Sequence, residues 1–187
     1  QLNYPITVID VDYFDRVNLR DYDVLILPDG QYSSFSSDSR KSSLKEFTRA
    51  GGKIIAMGGA LSLFSQGGFS LKEKDFESEE SLLNIHANGA REGIKNYITG
   101  AIFKTNLDLT HPLAFGYKKD YFTLKLGVDA YETLDIGTVA SLENSKPVSG
   151  FAGSNTLEKM ENTLVFGVDN QGRGSVIYMV DNPLFRG

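Results

Sequence analysis

The chain has 187 residues, 41% of them apolar and 23% charged, with a net charge of −5. That length supports one domain with a substantial core, and the acidic balance excludes general nucleic-acid binding and electrostatic docking on an anionic membrane, which need a basic footprint. With no cysteine in the chain, disulfides, thiolate metal sites and thiol nucleophiles are excluded as well.

Ile6–Ile9 is β-branched and reads as a first short strand. Asp10, Asp12 and Asp15 follow it as loop and helix-start acids. Tyr22–Pro28 (YDVLILP) is a continuous apolar run, the pattern of a strand buried on both faces, and Pro28-Asp29-Gly30 stops it. A serine-rich stretch, Ser33–Ser43, leads into Leu44, Phe47 and Ala50 at helical spacing. Gly51-Gly52 ends that helix as a C-terminal glycine cap does. Lys53–Met57 is a second buried strand. Gly58-Gly59 turns the chain, and Ala60, Leu61 and Phe64 start another helix. This order defines a βαβα unit with parallel strands.

Residues 66–95 read as an irregular insertion on the rim of the sheet, with a mixed-charge run at Lys72–Glu80 that suits a solvated helix face. The second half is β-rich: Ala101–Leu107, Tyr121–Leu124, Thr138–Leu142, Pro147–Phe151, Thr163–Val168 and Ser175–Val180 are strand candidates. Asp169-Asn170-Gln171-Gly172 reads as a hairpin turn between the last two. The expected architecture is therefore α/β: a flavodoxin-like parallel sheet with helices on both faces, plus additional antiparallel strands in the C-terminal half. Residues 1–187 form a single domain. No apolar run approaches the ~20 residues of a membrane helix. The N-terminus has no basic region followed by an apolar stretch, and the absence of an initiator methionine reads as a fragment of a longer protein.

In open α/β sheets, ligands bind beyond the carboxyl ends of the strands. Pro28-Asp29-Gly30, Gly58-Gly59-Ala60 and Asp181-Asn182-Pro183 are expected there. The middle segment is a sharp strand-to-helix turn of the kind that elsewhere presents a serine or cysteine above backbone N–H groups. Here it carries glycines and no nucleophile, and Ser62 falls inside the following helix. The histidines are His86, in the insertion, and His111, in the turn Asp108–Leu113. His111 is either a loop histidine bonded to backbone or a pocket residue facing the sheet edge. Neither histidine belongs to a zinc motif, no EF-hand or P-loop spacing occurs, and Gly172-Arg173-Gly174 is not a dinucleotide fingerprint.

The front half resembles a class I glutamine amidotransferase-like domain. That family places a cysteine where this chain has Gly58, within Ala56-Met57-Gly58-Gly59-Ala60, and a His-Pro-Glu motif where this chain has Asn182, Pro183 and Leu184. All three catalytic positions depart from the family, which implies a degenerate site. A second resemblance spans most of the chain. YDVLILPDG (Tyr22–Gly30), GGKIIAMGGA (Gly51–Ala60), HPLAFGY (His111–Tyr117), SGFAGS (Ser149–Ser154) and GRGSVIYMVDNPLFRG (Gly172–Gly187) resemble the C-terminal domain of large secreted bacterial zinc carboxypeptidases.

That resemblance implies a periplasmic or extracellular parent peptidase. Its zinc would lie in an upstream domain of the same polypeptide, with no cofactor in this chain. It also implies a further strand and helix before Gln1. Three functions compete. One is a non-catalytic accessory domain. Another is a small-ligand domain for an amino acid, peptide or sugar, using Asp29, Gly30, Gly58, Gly59, His111 and Asn182. The third is a residual hydrolase built on Ser62 or an acid–His111 pair.

Overall fold

The apolar run after Tyr22 becomes a strand, β1 (Val24–Leu27), and the helical spacing after Ser37 becomes α1 (Asp38–Ala50). The structure, a computed structural model, describes residues 4–35, 37–65, 68–74 and 93–185. β2 (Lys53–Met57), β3 (Ile98–Leu107), β4 (Tyr121–Lys125), β5 (Thr138–Leu142), β6 (Ser149–Ala152), α2 (Ser154–Met160), β7 (Thr163–Gln171) and β8 (Gly174–Met179) follow. The 66–95 insertion lies mostly outside the described residues, as does His86.

Local chemistry fixes α1 at both ends. The Ser37 hydroxyl accepts from the Arg40 N–H, and Gly51, at φ +122°, closes the helix with its N–H on the Thr48 carbonyl. Leu44 and Phe47 point into a core shared with Leu27, Ile54, Ala56, Val176 and Tyr178. Arg40 also clamps Asp15 through Nε (3.0 Å) and Nη2 (2.7 Å), holding the 3-10 turn Val11–Arg16 against the helix. Phe14 of that turn meets Phe35 edge-on at 4.5 Å between centroids.

The expectation of a flavodoxin-like parallel sheet with helices on both faces is wrong. The strand order is β1-β2-β8-β7-β5-β3-β4, with β6 on β3, in one curled, half-barrel-like mixed sheet. Among the described strands, parallel pairing is confined to β1–β2 and β2–β8. The pairings β7–β8, β5–β7, β3–β5, β3–β4 and β3–β6 are all antiparallel. The curl has a local cause. β3 pairs with β4 and β6 along its first part and with β5 only at Asn106 and Leu107, so it turns the corner between two sections of sheet. Register shifts at Ile98/Gly100 and along β5–β7 add twist, as bulges do.

Helical cover is correspondingly thin. The helix expected at Ala60–Phe64 is a six-residue 3-10 turn, Gly58–Leu63. On the face opposite α1, Ile26, Ile55, Ile177 and Val168 stand in register across four strands. None of them belongs to either core cluster, and Ile26 is 55% exposed. A doubly wound sheet would bury that row beneath a helix.

Two further expectations are corrected, and one strand shows an unexpected face. Ile6–Ile9 is not a strand: it pairs with nothing described, and Ile6 and Val8 are 81% and 93% exposed. The hairpin turn is Gly172-Arg173, because β7 continues through Gln171. β4 inverts its sequence pattern: Phe122, Leu124 and Leu126 stand outward, while Thr123 and Lys125 are buried.

Candidate functional site

Asp29 leaves the end of β1, Gly58-Gly59 leaves the end of β2, and Asp181-Asn182 follows β8. Because these three strands are parallel neighbours, their carboxyl ends converge. Asp29, Gly58, Gly59 and Asn182 line one cavity of about 230 Å³, with Asp129, Asp181 and the outward side chains Leu124 and Leu126. A larger groove of about 680 Å³ lies by Asp23 and Gly51-Gly52, at the amino ends of β1 and β2, and contains none of the candidate ligand-binding residues.

The turn over β2 is already filled. One Asp29 carboxylate oxygen, Oδ1, accepts from the Gly59 N–H at 2.9 Å. The other, Oδ2, accepts from Asn182 Nδ2 at 3.4 Å. Gly58 adopts φ +51°, and a Cβ placed there would overlap Asp29 Oδ1 and lie 2.6 Å from Asp29 Cγ. A Cβ on Gly59 would run into the Gly30 carbonyl oxygen. Glycine is thus required at both positions: at Gly58 for a left-handed backbone, and at Gly58 and Gly59 alike for the close approach of the β1 loop. The backbone donor that would face an incoming anion is spent on the chain's own carboxylate.

A second polar cluster supports the wall of the cavity. Lys125, 1% exposed, places Nζ 3.1 Å from Asp181 Oδ1. The Thr123 hydroxyl donates to Asp181 Oδ2 at 2.5 Å. The inward polar side of β4 therefore exists to meet the carboxylate after β8. Burial, Tyr117 and then the Asp181 charge raise the Tyr121 phenol above its ordinary value. Burial and Asp29 do the same to Tyr32, whose hydroxyl donates to the Pro28 carbonyl at 2.8 Å.

The remaining sequence-derived residues lie elsewhere or are engaged. Gly30 contributes a carbonyl against Gly59 but does not line the cavity. His111 is not brought to the site: it caps the 3-10 turn Pro112–Ala114, where Nδ1 accepts from the Leu113 N–H at 3.2 Å. Leu184 is 66% exposed, and its N–H donates to Asn182 Oδ1. The Ser62 hydroxyl donates to the Gly59 carbonyl at 2.8 Å, with no base beside it among the described residues. Among the described residues no three His, Asp or Glu side chains gather as a metal site. No described helix is long and apolar enough to cross a membrane. Reading the sequence missed Lys125, Asp129 and the outward Leu124 and Leu126. The available signal was an apolar strand carrying polar residues at alternate positions beside an unplaced aspartate.

No family model matches the chain, and no curated protein matches it. Solved structures give distant likenesses. A β-galactosidase from Bacillus circulans sp. alkalophilus is 13% identical with a TM-score of 0.48, covering 88% of this chain and 21% of that one. A ThuA-like protein from Bacteroides uniformis is 11% identical with a TM-score of 0.46, over 88% of this chain and 61% of that one. A cytoplasmic protein from Salmonella typhimurium is 14% identical with a TM-score of 0.44, over 97% and 65%. The chain thus spans about a fifth of the β-galactosidase and under two thirds of the other two. Likenesses at this level identify neither a substrate nor an activity.

Proposed function

We propose that this chain is a non-catalytic domain whose cleft at the strand ends binds a small polar ligand without transforming it. The observation that carries the reading is the Asp29 carboxylate lodged over Gly58-Gly59. It occupies the place of a nucleophile's side chain and consumes the Gly59 N–H. Nucleophilic catalysis needs a nucleophile within reach of a base. Ser62 is bonded to backbone and His111 is tied into its own turn.

The cleft's chemistry selects among ligands. Asp29, Asp129 and Asp181 supply carboxylates, and Leu124 and Leu126 supply an apolar wall. That combination suits sugar hydroxyls or the ammonium end of a peptide. It disfavours a ligand carboxylate, whose donor is already taken. Backbone amide NMR of the chain titrated with methyl glycosides and short peptide amides tests the binding. Shifts gathered at Gly58, Gly59 and Asn182 are expected, and none at saturating ligand would overturn it. Hydrolysis of glutamine or an activated ester that disappears in Ser62→Ala or His111→Ala would overturn the non-catalytic reading.

A finer reading makes this an accessory domain of an exported zinc carboxypeptidase. It rests on the ordered motifs from YDVLILPDG to the C-terminus. Deleting the domain from its parent protein tests it, and unchanged stability, assembly and peptide turnover would sink it.

A further inference from the structure

β4 is built against its own stability. Leu124 and Leu126 stand outward, 36% and 47% exposed, while Lys125 between them is 1% exposed. Burial favours the reverse. Lysine is rarely enclosed, and apolar residues of similar size often match or better a buried ion pair. Such breaches of local preference gather at functional sites, where the exposed face has a use. That use is at hand, because Leu124 and Leu126 form the apolar wall of the cleft of about 230 Å³.

The same strand fixes the charge of the cleft. Lys125 places Nζ 3.1 Å from Asp181 Oδ1, and so neutralises one of the three lining carboxylates. Asp29 is met by neutral donors among the described residues, the Gly59 N–H and Asn182 Nδ2. Asp129, just after Leu126, completes the acidic rim. Of the lining side chains only Asn182 carries a donor, and it is turned toward Asp29. A sugar hydroxyl both donates and accepts and finds few side-chain donors here, whereas an ammonium only donates. The cleft is anionic on its polar side and aliphatic on its apolar side.

Resting on the reading of this cleft as a binding site, we infer that its ligand is a primary ammonium carried on an aliphatic body. Asp29 and Asp129 meet the charge, and Leu124 and Leu126 meet the hydrocarbon. The inverted face of β4 then has a purpose: it turns two leucines to the ligand, and its buried lysine quiets Asp181 without reaching the other two carboxylates. A peptide N-terminus and a free aliphatic amine share this chemistry.

The test is NMR titration of the 187-residue chain at about pH 6, where an α-amino group is charged. The probes are leucinamide, its uncharged relative N-acetyl-leucinamide, isopentylamine and methyl galactoside. Leucinamide should shift the Gly58 and Gly59 amides and the Leu124 and Leu126 methyls, and N-acetyl-leucinamide should bind about tenfold more weakly or worse. Isopentylamine separates the two sources: binding equal to leucinamide assigns a free amine, and weaker binding assigns a peptide end. Asp129 and Leu126 are exposed, so Asp129→Asn and Leu126→Asn should keep their spectra away from the cleft. Each should weaken leucinamide, by about tenfold and about fivefold. Equal affinity for leucinamide and N-acetyl-leucinamide overturns the ammonium. Binding of methyl galactoside without leucinamide overturns the ligand class and leaves the cleft a binding site. No shift at the cleft with any probe overturns both. Full leucinamide affinity in either variant overturns the contact assigned to that residue.

Discussion

Gly58→Ala tests the central geometric claim about the site. At φ +51° a side chain costs about 1–2 kcal/mol for the left-handed backbone alone. The new Cβ also expels the Asp29 carboxylate, its three nearest atoms all belonging to that residue. Losing a charge-assisted bond to the Gly59 N–H would cost about 1.5–3 kcal/mol in a buried setting. Asp29 is exposed and recovers hydration, which reduces that loss to about 1 kcal/mol. Gly58→Ala should therefore destabilise the chain by about 2–3 kcal/mol in urea unfolding. In an Asp29→Ala background only the backbone cost remains, about 1–2 kcal/mol, because the surviving Asp29 Cβ at 3.1 Å needs to yield only slightly. The double-mutant cycle should show about 1 kcal/mol of coupling. If Gly58→Ala costs the same in both backgrounds, the carboxylate does not fill the turn.

Other variants probe the supports of the site. Asp169 is buried and accepts from the Ser70 N–H and hydroxyl, Gln171 Nε2 and the Tyr178 hydroxyl. Asp169→Ala orphans these donors and should lower stability by about 3 kcal/mol, seen in denaturant unfolding, with earlier proteolysis near Ser70. Asp181→Asn leaves the buried Lys125 ammonium without its counter-ion and should cost about 3 kcal/mol or more, while Lys125→Met with Asp181→Asn should recover most of it. Burial first, and then the Asp169 charge and hydrogen bond, hold the Tyr178 phenol far above its ordinary 10. A raised folded value means this contribution is intact below pH 10 and is lost as pH rises beyond it. The alkaline fall in stability should flatten in Tyr178→Phe, and an unchanged slope above pH 10 would show that the phenol ionises freely in the fold.

Local signals in the sequence were legible where local chemistry decides. The apolar run Lys53–Met57 and the stretch Thr138–Leu142 are strands with those limits, and Gly51 does end α1. Strand order and direction are set by contacts far apart in the chain, which is why the expected parallel sheet with two helical layers failed. Ile6–Ile9 has strand composition, yet a strand exists only with a partner. Convergence of Asp29, Gly58, Gly59 and Asn182 followed from the rule that loops at parallel strand ends share a rim. The filling of the turn did not, because it depends on a side-chain approach between residues thirty positions apart. His111 illustrates the opposite case: its contact is local, and the turn sequence around it already contained the answer.

The inverted face of β4 bears on how this chain reaches its fold. A slip of one residue against β3 would turn every β4 side chain over. Phe122, Leu124 and Leu126 would then enter the interior and Lys125 would reach solvent, an arrangement that hydrophobic burial alone prefers. The native pairing opposes Lys125 to Ala101 and Thr123 to Phe103. Within that register Asp181, delivered only once β8 is in place, accepts from both polar side chains. The ion pair thus acts as a register key that arrives late, and until it does β4 is frustrated, drawn toward a competing alignment. Refolding should pass through that slipped hairpin, and replacing Lys125 with an apolar residue, which prefers the buried native position to the solvent-facing slipped one, should make the trap shallower.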